Sequence, residues 1–217
     1  MSTKTQKATP LDTITGSCGE KAQYEFDIHT GKLIIKGEGT VGCTFDNIKP
    51  DIISVEIEPG ITSILDKTFE DCSILEKITI PNTVEEIGNY AFNKCIYLTE
   101  VSFPHSVVRF GDHVFQNCQS LTKVDLPANM IVIPASTFRK CTYLRNITIP
   151  KSVTTICESA FENCSSILEI DIPKSVREIK KWAFIGCICL SRITITSSVK
   201  KIEDEAFKNT PIEKIFK

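Results

Sequence analysis

The chain has 217 residues, of which 24% are charged and 41% apolar, and a formal net charge of −2. That balance gives no basic footprint for nucleic acid and no acidic tail, so no nucleic-acid partner is expected. No apolar run approaches the roughly 20 residues a membrane-crossing helix needs, so no membrane span is expected either.

The first seven residues, Met1-Ser2-Thr3-Lys4-Thr5-Gln6-Lys7, are polar and lead into no hydrophobic segment. A secretory signal peptide is therefore not expected in the sequence as written, and the cellular location stays open. Residues 1–13 are assigned to a disordered end and residues 14–50 to an N-terminal cap. Within the cap, residues 24–28 and 32–37 flank His29-Thr30-Gly31, the pattern of a β-hairpin with a glycine-containing turn. Gly37, Gly39 and Gly42 match G-x-G-x-x-G, but dinucleotide binding needs a helix directly afterwards and Pro50 arrives too soon. The match is read as a glycine-rich exit from the hairpin. Cys18 and Cys43 also fall in the cap, and whether they pair in an oxidising environment stays open.

Residues 51–217 read as about seven repeats of 23 residues, the first of them atypical because it lacks the Phe and the Cys. The period is clearest at Phe69, Phe92, Phe115, Phe138, Phe161, Phe184 and Phe207. Three residues after the first six of these stand Cys72, Cys95, Cys118, Cys141, Cys164 and Cys187, and six after stand Leu75, Leu98, Leu121, Leu144, Ile167 and Leu190. Disulfide frameworks and zinc sites show clustered, uneven cysteine spacing. A strict period instead marks one structural position that prefers a small buried thiol. About eight of 23 positions are apolar in each unit, and only stacking buries them in one continuous core.

Within a unit, the alternation of Ile78-Thr79-Ile80 predicts a short strand, and the proline directly after it, as at Pro81, ends its ladder. Residues 84–87 allow only an extended stretch or a single turn. Residues 91–95 suit a tight helical turn. Asp71, Lys94, Asn117, Lys140, Asn163, Gly186 and Asn209 occupy one turn position two residues after each Phe, and its Asn, Asp and Gly suit a positive φ. Successive strands are expected to stack in parallel about 4.8 Å apart. The predicted fold class is a β-rich solenoid with short turns and 3-10 segments, a single parallel sheet on its concave face and a hairpin cap.

The pattern F-x-x-C-x-x-L-x-x-I-x-I-P-x-S-V-x-x-I-x-x-x-A-F over roughly residues 50–217 resembles the BspA-like class of leucine-rich repeats. The cap is similar to the one that precedes the repeats in that class. Members of the class are often described as surface antigens or adhesins that bind host proteins or other cells. The resemblance therefore implies protein binding at the cell surface; an intracellular leucine-rich repeat scaffold is the alternative, favoured by the missing signal and the free cysteine ladder.

After Phe207 the repeat is clipped, with Thr210 in the Cys position, and the chain is expected to end on a strand. Either this short unit caps itself and the protein is a monomer, or it joins a second copy in a dimer. His29, His105 and His113 lack ligand-spaced partners, and no triad, acid–base pair or metal cluster is apparent. No catalysis, cofactor or metal is predicted. Asn146 and Asn163 head glycosylation sequons that matter only in a secreted chain. Outward strand positions form two columns. Lys77, Glu100, Lys123, Asn146, Glu169 and Arg192 are expected to neutralise one another laterally. Thr79, Ser102, Asp125, Thr148, Asp171 and Thr194 leave a flat polar strip, which is the predicted ligand footprint. Val108, Ile131 and Val132 stand where other repeats are polar, and Tyr97 and Tyr143 share one repeat position; these five are further candidates for partner contact.

Overall fold

The computed structural model describes residues 12–216. Residues 1–11, most of the segment expected to be disordered, and Lys217 lie outside the described residues. Thr13 already belongs to the folded cap, which is a three-stranded antiparallel meander, one strand larger than the expected hairpin. In it β1 (Thr13–Ser17) pairs with β2 (Lys21–Asp27), and β2 pairs with β3 (Lys32–Val41). Asp27 builds the β2–β3 turn: its Oδ1 accepts the backbone N–H of His29 at 2.9 Å and of Thr30 at 3.1 Å, and Gly31 adopts φ 64°. Those bonds hold the Asp27 carboxyl below the usual carboxylate range.

β3 joins cap to solenoid because it is long enough to serve both. Its first half pairs in parallel with β4 (Ser54–Ile57) and its end with β5 (Ile61–Ile64). Gly37 sits in β3 at φ 107°, where a Cβ would meet the Lys21 carbonyl oxygen at 2.2 Å. Gly37 thus serves close strand approach, Gly39 a positive φ of 83°, and the next element along the chain is a 3-10 turn at Lys49–Asp51.

Each further turn of the chain adds short strands. They are β6 (Lys77–Thr79) and β7 (Glu86–Ile87), β8 (Glu100–Ser102) and β9 (Arg109–Phe110), then β10 (Lys123–Asp125) and β11 (Val132–Ile133). The next turn gives only β12 (Thr155–Ile156), and the last two give β13 (Glu169–Asp171) with β14 (Glu178–Ile179), and β15 (Arg192–Thr194) with β16 (Lys201–Ile202). The expected parallel ladder is present in three segments, β4 with β6, β8 with β10, and β13 with β15. A second ladder accompanies it in two segments, β5 through β7 to β9, and β11 through β12 and β14 to β16. Register is set by the period: Val55 faces Ile78, and Ile87 faces Phe110, in both cases 23 residues apart.

The turns around each Phe form a third column. The N–H groups of Lys67, Phe69 and Asp71 donate to the carbonyls of Asn89, Ala91 and Asn93, each at 2.9 Å. Lys67 and Asp71 have φ of 60° and 63°. The position two after Phe is left-handed in every repeat from Asp71 to Asn209, as the sequence suggested. So is the position two before Phe: Lys67, Tyr90, His113, Ser136, Ser159, Trp182 and Glu205. Left-handed residues on either side of each Phe turn these N–H groups toward the next turn of the chain, so the column has a direction.

Side chains inside the column make the core. The rings from Phe69 to Phe207 stack nearly parallel with neighbouring centroids 5.1 to 5.7 Å apart. Each such pair contributes about 0.5–1.5 kcal/mol beyond its buried area. The cysteines lie beside them, fully buried, and from Cys95 to Cys187 each Sγ donates to the carbonyl of the Phe one repeat earlier: Cys95 to Phe69 at 3.2 Å, Cys118 to Phe92 at 3.0 Å, Cys141 to Phe115 at 3.1 Å. A cysteine there fills a small apolar space and satisfies a carbonyl, which explains the period in chemical terms. Burial pushes the thiols of Cys72 and Cys187 up to about 12.

Both ends of the ring stack are closed by a Phe that the period does not place. Phe45, in the cap, lies 5.7 Å from Phe69. At the other end the chain does not finish on a strand: Glu213–Phe216 is a 3-10 turn, which the missing N–H of Pro211 and the bond from Thr210 Oγ1 to the Phe207 carbonyl (2.7 Å) favour over a ladder. This turn brings Phe216 back over Phe207.

Candidate protein-binding surface

The predicted footprint is outward and accessible. Thr79, Ser102, Asp125, Thr148, Asp171 and Thr194 are all exposed, because each closes or lies level with a three-residue strand whose middle residue points inward. The strip is not chemically uniform. Asp125 accepts a hydrogen bond from Ser102 Oγ at 2.7 Å and pairs with Lys123 at 3.3 Å, and the Ser102 bond leads in holding its carboxyl below the usual range. Thr79, Thr148, Asp171 and Thr194 make no side-chain hydrogen bond or ion pair.

The charged column beside it departs from the expected lateral neutralisation. Only Glu169 and Arg192 pair across neighbouring strands. Lys123 turns instead to Asp125 on its own strand, and Lys77 and Glu100 stay unpaired. Single outward charges in water gain too little from pairing to enforce one geometry.

The strand ladder itself is interrupted. Pairing is present from β3 through β4 to β6, between β8 and β10, and between β13 and β15, but residues 146–148 pair with neither neighbour. Beside the Thr148 and Asp171 positions this leaves a cleft of about 750 Å³ between two turns of the chain, lined by residues 146–151 and 169–175.

Val108, Ile131 and Val132 do come together, at a break in the second ladder between β9 and β11. At the other junctions the residue after the strand donates to the preceding turn, as Gly111 does to Ile87 at 2.8 Å and Cys157 to Ile133 at 2.9 Å. Pro134 occupies that position in the fourth unit and has no N–H to give to Phe110. The gap holds a cavity of about 300 Å³ lined by residues 107–110, Pro127 and residues 130–132. Val108 is 61% and Ile131 57% exposed at its mouth. The sequence shows these apolar departures; the role of Pro134 in opening the gap becomes visible only with the ladder.

Tyr97 and Tyr143 are 57% and 59% exposed, so they are not packed into the convex side. They stand before the strand segments of their repeats and join neither the strip nor the Pro134 gap. Trp182, which aligns with Tyr90 and His113, is engaged: its Nε1 donates to Glu205 at 2.6 Å and Lys181 lies 4.2 Å over its ring. Tyr90 and His113 stack on each other at 4.4 Å.

In the cap, Cys18 and Cys43 are both free and their thiols hydrogen-bond to each other. That bond raises the Cys18 thiol far above its ordinary value and lowers Cys43. Among the described residues no cluster of three or more His, Cys, Asp and Glu side chains is placed to hold a metal. No helix among them is long and apolar enough to cross a membrane.

A family model described as the BspA type leucine-rich repeat region matches this chain in 6 copies, over residues 42–166 and 110–216. The chain belongs to the BspA-type leucine-rich repeat family. Solved structures of leucine-rich repeat proteins resemble it. One from Bacteroides ovatus is 29% identical with a TM-score of 0.61, over 73% of this chain and 47% of that one. One from T. pallidum, at 20% identity and a TM-score of 0.70, covers 97% of this chain and 94% of its own and shares the fold. A third, from Eubacterium ventriosum, is 20% identical with a TM-score of 0.57, covering 91% and 64%. The BspA-type chain described here thus spans about half the length of its Bacteroides ovatus counterpart. No curated protein matches the sequence. A BspA-type solenoid of this kind is a leucine-rich repeat fold, a class that generally serves in protein binding and is typically non-catalytic.

Proposed function

We infer that this BspA-type protein is a non-catalytic protein-binding module that acts as a surface antigen or adhesin toward host or cell-surface proteins. The observation that carries the binding role is the outward strip from Thr79 to Thr194, with four of its six side chains unpartnered on a rigid scaffold. Small polar side chains leave such a strip flat, and a preorganised flat strip loses little entropy when a partner covers it. The apolar side chains at the Pro134 gap, with Tyr97 and Tyr143, supply the kind of residue that carries most binding energy at interfaces. The cell-surface role rests on the family resemblance.

Two experiments address the two parts. Capture from host matrix and cell extracts at micromolar protein is expected to recover a partner that Thr148→Arg with Asp171→Arg no longer holds. Recovery of no partner, or equal recovery by the variant, counts against the strip. Labelling of intact cells with an impermeant reagent is expected to reach the native protein. Labelling only after lysis favours an intracellular scaffold, a reading supported by the ten free cysteines, since thiols persist in reducing compartments.

A further inference from the structure

The cleft beside Thr148 and Asp171 has three features that stacking alone does not require. The first is open backbone. Where neighbouring strands pair, the residue after the strand also donates onward, as Phe103 does to Asp125 at 3.0 Å and Ile172 to Thr194 at 2.9 Å. Ile149 makes no such bond to Asp171, so strand and exit are both unpaired from residue 146 to residue 149. Second, Ser175 has a buried hydroxyl without a hydrogen-bond partner. At the same repeat position Thr83, Ser106 and Ser152 each donate to the turn before, at 2.7, 2.6 and 2.6 Å. The acceptor position for Ser175 is the Val153 carbonyl, and that bond is absent. A buried hydroxyl without a partner is a cost that folding normally avoids.

The third feature is charge. Lys151 and Lys174 hold one repeat position in adjacent turns, on the two walls of the cleft, and both are exposed and unpaired. Asp171 is likewise unpaired, three residues before Lys174, whereas Glu169 is neutralised by Arg192. One end of the cleft is therefore basic and its middle carries a single carboxylate. Along its length the floor is Ile147, Ile149, Ile170 and Ile172.

We propose that this cleft binds an extended acidic segment of a partner protein. Its walls run along the strand direction for about six residues, roughly 20 Å, the reach of an extended peptide. Main-chain groups of such a segment satisfy the open backbone of residues 146–149, as in strand addition. An Asp or Glu of the segment lies between Lys151 and Lys174, Asp171 takes a donor from it about three residues away, and Ser175 gains a partner. The proposal rests on the protein-binding reading and names where, and by what chemistry, that binding occurs.

Selection of displayed random peptides of about ten residues on the folded protein tests it. Asp- or Glu-bearing peptides are expected to be enriched, and amide exchange is expected to slow at residues 146–149 and 169–172 when one is bound. Lys151→Glu with Lys174→Glu is expected to weaken them by at least about tenfold and to select Lys- or Arg-bearing peptides instead, while Lys77→Glu with Lys140→Glu changes neither. Ser175→Ala is expected to raise the melting temperature of the free protein yet lower its affinity, opposite signs that a structural role alone does not give. Enrichment without acidic bias, indifference to the charge reversal, or protection elsewhere overturns the cleft. If no peptide is enriched while intact partner capture succeeds, the cleft falls and the binding module stands.

Discussion

Phe216 lies on Phe207 with ring centroids 4.3 Å apart and planes 21° from parallel, although only nine residues separate them, whereas the rings from Phe69 to Phe207 recur every 23. In the same turn Glu213 Oε2 accepts the Asn209 N–H at 2.9 Å. In the preceding repeats that N–H finds a carbonyl of the next turn, as Gly186 finds Lys208 at 2.9 Å. Ring and carboxylate thus take, on the last described turn, the places that the next turn's ring and carbonyl take in earlier repeats. Phe216→Ala is expected to cost about 1–3 kcal/mol, less than the 3–5 kcal/mol for a fully buried ring such as Phe138. Amide exchange should quicken in residues 201–212 and barely change near the cap. A Phe216→Ala protein with unchanged melting and exchange contradicts this capping role.

Alkaline stability depends on the buried thiols. Cys72 and Cys187 have folded-state values of about 12, against an ordinary 9.0, because burial disfavours the thiolate. Below pH 9 folded and unfolded chains bind these protons equally. Between pH 9 and 12 only the unfolded chain releases them, so stability falls as pH rises. Urea midpoints measured across this window are expected to decline, and Cys72→Ala with Cys187→Ala is expected to flatten the decline while lowering stability at pH 7. A parallel slope in the variant contradicts the assignment.

Thiol access should be graded in the same way. Cys189 is exposed and the ladder cysteines are buried. Native protein is expected to lose the Cys189 thiol first to an alkylating reagent, the half-buried Cys43 and Cys157 more slowly, and the ladder thiols only on unfolding. Rapid native labelling of Cys118 or Cys141 would show that the stack opens readily.

Oxidation of the cap pair is separable from this. The hydrogen bond between Cys18 and Cys43 favours thiolate on Cys43, the species that starts disulfide exchange. Mild disulfide oxidant is expected to link Cys18 to Cys43 and raise the melting temperature, with peptide mapping as the readout. Mapping that finds either residue joined to another cysteine refutes the pairing.

At the Pro134 gap, exposed Val108 and Ile131 contribute little to folding. Val108→Lys and Ile131→Lys are each expected to shift stability by no more than about 0.5 kcal/mol, by urea titration, while reducing capture of a partner. A loss above about 2 kcal/mol would identify these side chains as core.

Much of the fold is readable because a repeat writes each structural position several times. The Phe and Cys columns, the left-handed residue after each Phe and the outward polar strip all recur at one spacing. Features written once escape. Phe45 precedes Phe69 by 24 residues and Phe216 comes nine after Phe207, so neither falls on the period although both extend the stack. The left-handed position before each Phe holds Lys, Tyr, His, Ser, Trp and Glu, a mixture with no glycine or asparagine to signal it. β1 lacks an alternating pattern strong enough to read, and the cleft at Lys151, Lys174 and Ser175 is defined by bonds that its neighbours make and it does not.

The binding face is tested most directly by a photo-crosslinking amino acid placed at Thr148 on the strip and, separately, at Lys140 on a turn, in the protein exposed to its native surroundings. A discrete crosslinked partner from position 148 and none from position 140 is the expected result. Equal crosslinking from both positions, or from position 140 alone, would contradict a partner footprint on the strip.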